Sequence, residues 1–116
     1  MNERIDLKTL LESSGKSHTE QVALFALINL GLIESLSQGL LGAAECLRIF
    51  YHADNCLFVR KRLRVKAADA IMSRGVQLPD LFDALPAEQA HCEFNRELAV
   101  LRTLCLELLK RKQAAA

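Results

Sequence analysis

The sequence predicts an all-α fold: a single compact domain of five to six helices, packed as an orthogonal or irregular bundle around a central apolar helix. Three observations point there. Apolar residues recur at three- and four-residue steps over most of the chain. Helix caps and stops punctuate those steps. Finally, 116 residues with 51% hydrophobic and 25% charged composition suit one folded domain with a real core. The expected organisation is an N-terminal helix within 1–16, a main bundle over 17–112, and a frayed tail at 113–116.

"RIDLKTLLESSG" reads as a short amphipathic opening helix stopped by Gly15. "SHTE" (Ser17 to Glu20) has the Ser-x-x-Glu form of a capping box, in which hydroxyl and carboxylate each satisfy an amide of the first turn. The helix it opens is apolar almost all round from Val22 to Ile33, with Asn29 and Gly31 interrupting. Such a helix has to be surrounded. A buried Asn29 has to find hydrogen-bond partners there.

Gly39 is the expected stop, and "LLGAAECLRIFYH" the third helix. "ADN" (Ala53 to Asn55) reads as a break in which Asp54 or Asn55 caps a fourth helix, running from Cys56 to Arg74 and stopping at Gly75. Within it, residues 57–67 also alternate basic and apolar with a strand period. A lone strand has no partner in a helical chain, so helix is the reading. "LPDLFDAL" is expected as a short helix with Pro79 in its first turn and Asp80 and Asp83 near its positive end.

Pro86 opens the last helix, to about Arg111. Along it Ala87, His91, Phe94, Leu98, Leu101, Cys105 and Leu108 form one continuous seam. Phe94, Leu98, Leu101, Cys105 and Leu108 are the candidate interface of a homodimer, since two helices ask for burial at once in a small domain.

Composition narrows function mainly by exclusion. Fifteen basic against fourteen acidic residues give no global field for polyanions or membranes. "MNERIDLK" lacks the apolar region of a secretory signal, and the apolar run falls short of the ~20 residues of a membrane span. A cytoplasmic protein with no membrane association is the expectation. The four cysteines are then thiols acting as small hydrophobes.

The basic run "FVRKRLRVK" carries Arg60, Lys61, Arg62, Arg64 and Lys66, the candidate nucleic-acid contacts. Residues 56–74 hold six basic groups and one acidic (+5), and residues 75–97 one basic and five acidic (−4). A nucleic-acid binder keeps its positive face unopposed and adds stacking groups, of which only Phe58 is present. A solvated face, or one paired with a second copy, fits better.

Glu88 and His91 share a helical face in the Glu-x-x-His pattern of di-iron carboxylate bundles, but that site needs a second copy of the motif. Cys46, His52 and Cys56 offer zinc-type ligands without a Cys-x-x-Cys pair. No nucleophile motif or phosphate-cradling glycine loop occurs. No catalytic residue, cofactor or metal is therefore assigned.

"LINLGLIESLSQGLLGAAECLRIF", followed by "GVQLPDLFDALP", resembles a family of short bacterial all-helical proteins catalogued only as a domain of unknown function. The likeness spans Leu27 to Pro86 and rests on cap and packing patterns. It implies a helical fold and a bacterial cytoplasmic setting, and hands over no activity. The basic run at 60–66 lies outside the family's pattern. The functional expectation is a small non-enzymatic interaction or accessory protein that self-associates. A nucleic-acid-associated regulator is the alternative, and a helical metal protein the third reading.

Overall fold

In the computed structural model, which describes residues 3–14 and 17–115, the first helix is held by its own cap. Asp6 accepts from the Thr9 amide (3.3 Å) and the Thr9 hydroxyl (3.2 Å), and α1 (Leu7–Ser14) buries Leu7 and Leu11. Gly15, the expected stop, lies outside the described residues. Ser17 then accepts the Glu20 amide at 3.1 Å, the first half of the expected capping box, and opens α2 (His18–Ser37).

α2 ends as expected at Gly39. That residue takes a left-handed φ of +73°, while the Gly39 and Leu40 amides turn back to the carbonyls of Leu36 and Ser35. This is a Schellman closure, in which glycine avoids the Cβ penalty. At 20 residues, α2 is long and apolar enough to cross a membrane by length and composition, contrary to the expectation that its apolar run is too short. In this fold it is a core helix. Val22, Phe25, Ala26, Leu32, Ile33 and Leu36 are buried, Leu24, Ile28 and Leu30 are half-buried, and the first turn together with Leu27, Gly31, Glu34 and Ser37 is exposed.

α3 is shorter than expected, Ala43–Ile49, because Phe50 and Tyr51 leave the helix to enter the core. The expected break at Ala53 to Asn55 is instead the start of α4 (Ala53–Phe58), and its cap is His52 rather than Asp54 or Asn55. The basic segment is helical, as read, but does not run to Arg74. After Phe58 the chain widens into one π-helical turn, Val59–Leu63, closed by Arg64 with φ 56° and ψ 41°. Arg64 is the one non-glycine residue with positive φ among those described. The exposed His18 ring gives its Nε2–H to the last carbonyl of this turn, Leu63, at 2.6 Å.

α5 (Lys66–Ala84) passes straight through two expected punctuation marks. Gly75 does not stop it, and Pro79 lies inside it rather than opening a new helix. Proline withholds the amide that would bond the Gly75 carbonyl, a defect costing about 3 kcal/mol in an isolated helix. Packing outweighs it: Ile71, Met72, Gly75 and Leu78 are buried along one face, and Arg74 grips the Glu97 carboxylate of α6 with two bonds of 2.9 and 3.0 Å. Asp80 and Asp83 consequently sit at the C-terminal, negative end of α5, not at the positive end expected.

α6 (Ala87–Ala115) packs along both α2 and α5, and continues to Ala115, into the tail expected to fray, of which the last residue lies outside those described. Phe94, Leu98, Leu101, Cys105 and Leu108 are each at most 9% exposed within a single chain. The seam read as a dimer interface is therefore the core of the protomer itself. The all-α bundle is as expected: six helices and no strand among the described residues.

Candidate functional site

The irregular N-terminal segment before α1 does not hang free. Asn55, 1% exposed, accepts the Leu7 amide on Oδ1 (3.0 Å) and donates through Nδ2 to the carbonyls of Ile5 (2.9 Å) and Phe50 (2.8 Å). The Ile5 amide donates to the Ile49 carbonyl at 2.8 Å. His52 completes the clamp. Its Nδ1 accepts from the Asn55 amide (3.4 Å) and the Arg4 guanidinium (2.8 Å), so the proton sits on Nε2, which donates to the Ile5 carbonyl at 3.1 Å. Both neighbours of Nδ1 are pure donors, which fixes this neutral tautomer. Arg4 also pairs with Asp54 at 2.6 Å.

This clamp walls a cleft of ≈ 570 Å³ between the N-terminal segment and the α4–π turn. Cations on its lining are Arg4, Lys8, Lys61 and Arg62, and carboxylates are Asp6 and Asp54. Arg4 is neutralised by Asp54, Arg62 by Glu12 of α1 at 3.0 Å, and Asp6 is engaged as the α1 cap. Lys8 and Lys61 have no ion-pair partner among the described residues. Between these charges lies Leu57, 45% exposed, beside the largely buried ring of Phe58. The site is a preformed, mixed-charge groove with two uncommitted ammonium groups over an apolar floor.

The π turn divides the five basic candidates. Lys61 and Arg62 face the cleft. Arg60 reaches Asp69 at 3.6 Å, and with Arg64 and Lys66 borders a separate, shallower depression of ≈ 200 Å³. No single positive face results, because two of the five are paired with carboxylates and the rest are split between two surfaces.

The metal candidates are not brought together. Glu88 is exposed on α6, where His91 stacks edge-on against Phe82 at 5.4 Å. Cys46 is buried, Cys56 donates weakly to the Tyr51 carbonyl at 3.6 Å, and both ring nitrogens of His52 are occupied by the clamp. Among the described residues no three His, Cys, Asp or Glu side chains gather where a metal ion could sit. All four cysteines are unpaired thiols. Burial pushes the Cys46 and Cys105 thiols up to about 12, so neither is a nucleophile at neutral pH.

Sequence reasoning reached Lys61 and Arg62 but missed Arg4, Lys8 and the clamping role of Asn55. No local signal marks these residues. Arg4 meets its partners across some fifty positions of sequence, and only the fold closes that distance.

The geometry defines a small helical bundle with a mixed-charge cleft between its N-terminal segment and the α4–π turn. Comparisons of the chain with family models, with curated proteins and with solved structures give no match. They neither support nor oppose the family likeness of residues 27–86.

Proposed function

We propose that this chain is a small, non-catalytic interaction protein that docks an acidic protein segment in the cleft between its N-terminal segment and the α4–π turn. The observation that carries the reading is the pairing of uncommitted Lys8 and Lys61 with the exposed Leu57 on one preformed surface. Carboxylates flanking an aliphatic or aromatic side chain satisfy both features. Complementary charge would steer and orient the partner, while burial of Leu57 would supply affinity.

Asp6 and Asp54 on the same lining would oppose a phosphate backbone and an acidic peptide alike; what favours the peptide is Leu57, an exposed aliphatic side chain that gives a nucleic-acid base no aromatic face to stack on. The commitment of Arg60 and Arg62 to Asp69 and Glu12 points the same way. The cytoplasm, where the cysteines stay reduced, is the proposed setting.

Fluorescence anisotropy separates the two ligands. A labelled peptide carrying a leucine or phenylalanine between aspartates should bind at physiological salt, and Lys8→Glu/Lys61→Glu should abolish that binding. Tighter binding of a DNA or RNA oligonucleotide of similar charge would transfer the function to the nucleic-acid reading.

A further inference from the structure

His52 is held in the clamp by bonds that only one protonation state can make. Its Nδ1 faces two groups that can only donate, the Arg4 guanidinium at 2.8 Å and the Asn55 amide at 3.4 Å. A proton on Nδ1 takes the acceptor from both, and sets an imidazolium against a guanidinium at hydrogen-bond distance. The opposite edge of the ring is indifferent, because Nε2–H donates to the Ile5 carbonyl in either state. His18 carries no such conflict: it gives a proton to the Leu63 carbonyl, and its charged form does so equally. His91 packs edge-on against Phe82, outside the cleft lining.

The charges that share the cleft with this ring are Arg4 of the N-terminal segment, Lys8 of α1, Lys61 and Arg62 of the π turn, and the carboxylates Asp6 and Asp54. Asp54 bonds the same Arg4 nitrogen, Nη2, that His52 does. Withdrawal of that nitrogen leaves the Asp54 carboxylate and a charged ring facing one gap. We infer that His52 is a proton-operated latch on the charge of the cleft: a proton taken up at Nδ1 draws Asp54 to the ring and frees Arg4, which joins Lys8 and Lys61 as an uncommitted cation. Its effect on docking rests on the reading of the cleft as a site for acidic segments. The wall itself stays, because Asn55 keeps its bonds to Ile5, Leu7 and Phe50. Imidazole ordinarily changes charge between pH 5 and 8. Above that range the neutral ring holds Arg4 and the cleft attracts acidic segments least; attraction grows as pH falls through it. Peptide aspartates, with ordinary values of about 4, stay ionised throughout.

Nitrogen-15 NMR of the full chain tests the latch without any ligand. At pH 8 the His52 ring should show the tautomer with its proton on Nε2. Between pH 8 and 5.5 the Asn55 amide and the Arg4 side-chain signals should move with the ring at one shared midpoint. His52→Asn keeps a cap acceptor for the Asn55 amide but cannot titrate, and should remove that response. Fluorescence anisotropy at low ionic strength then follows a labelled peptide carrying phenylalanine between aspartates. Its binding to the wild type should tighten roughly threefold or more from pH 8 to 5.5, the worth of one added charge about 6 Å from a carboxylate in water. His52→Asn should show no such gain. A ring protonated on Nδ1 at pH 8, Arg4 and Asn55 signals indifferent to the ring, or a peptide bound equally at both pH values would each overturn the inference. A peptide that binds at neither pH, with the nitrogen signals as expected, would instead remove the docking reading and leave the latch standing.

Discussion

The Tyr51 hydroxyl donates a 2.9 Å hydrogen bond to Oδ1 of Asn29, joining the residue that leaves α3 to the middle of α2 inside the core. Asn29 in turn donates through Nδ2 to the Phe25 carbonyl at 2.9 Å, so a buried amide within an apolar helix is satisfied at both ends. The Tyr51 ring packs edge-on against Phe50 and closes over Gly75 of α5. One side chain thereby ties three helices, and fixes how the α3–α4 junction that carries the clamp sits on the bundle.

Removing either partner strands the other in the core. Tyr51→Phe and Asn29→Ala are each expected to destabilise the fold by about 1–3 kcal/mol. The double variant should cost less than the sum, with a coupling of about 0.5–3 kcal/mol. Urea unfolding of the four proteins measures this cycle, and strict additivity would mean that the bond contributes nothing.

Two helical glycines should respond in opposite ways to alanine. A Cβ at Gly75 would stand 2.5 Å from Tyr51 ring carbons, so the ring has to move and the Asn29 bond is put at risk. Gly75→Ala should lose about 1–3 kcal/mol despite alanine's better helix propensity. At Gly31, exposed on α2, nothing lies within 4 Å, and Gly31→Ala should gain about 0.4–1 kcal/mol. Thermal melts of both variants check the contrast.

Alkaline unfolding should report the buried thiols. Cys46 and Cys105 ionise at about 12 in the fold against an ordinary value of 9.0. Between these limits the unfolded chain gives up its protons first, so stability falls as pH rises through the window and is unaffected by these thiols below it. Cys46→Ala/Cys105→Ala should flatten that fall, whatever it costs in packing. In native protein at neutral pH, iodoacetamide should modify the exposed Cys92 and spare both buried cysteines. Peptide mapping after brief labelling decides the point.

Leu101→Glu now has a definite expected outcome. Leu101 is fully buried in the protomer, so a carboxylate there should unfold the chain rather than release a folded monomer. Far-ultraviolet circular dichroism of the variant distinguishes the two results.

The helical class was legible because the α2 cap, the glycine that ends it and the seam of α6 are all local patterns. What was misread depended on distant contacts. Gly75 and Pro79 carry the local marks of a helix boundary, but Gly75 serves the Tyr51 ring and Pro79 is carried through by packing on α6. His52 could not be foreseen as a cap, since its place follows from the entry of Phe50 and Tyr51 into the core. The α6 seam has the same period whether it faces a partner or its own α2 and α5. Periodicity identifies a buried face without saying what buries it. Of the cleft, the basic run was visible but not its division by the π turn, nor the N-terminal wall that Asn55 and His52 hold in place.

The central claim, that the cleft is a docking surface for acidic protein segments, is tested most directly by a nitrogen-15 NMR titration of the full chain with the aspartate-flanked phenylalanine peptide. The account predicts saturable shifts confined to the neighbourhood of Arg4, Lys8, Leu57 and Lys61, absent from the Lys8→Glu/Lys61→Glu variant. Shifts that are lacking at this site, or that a lysine-flanked peptide reproduces equally well, would contradict it.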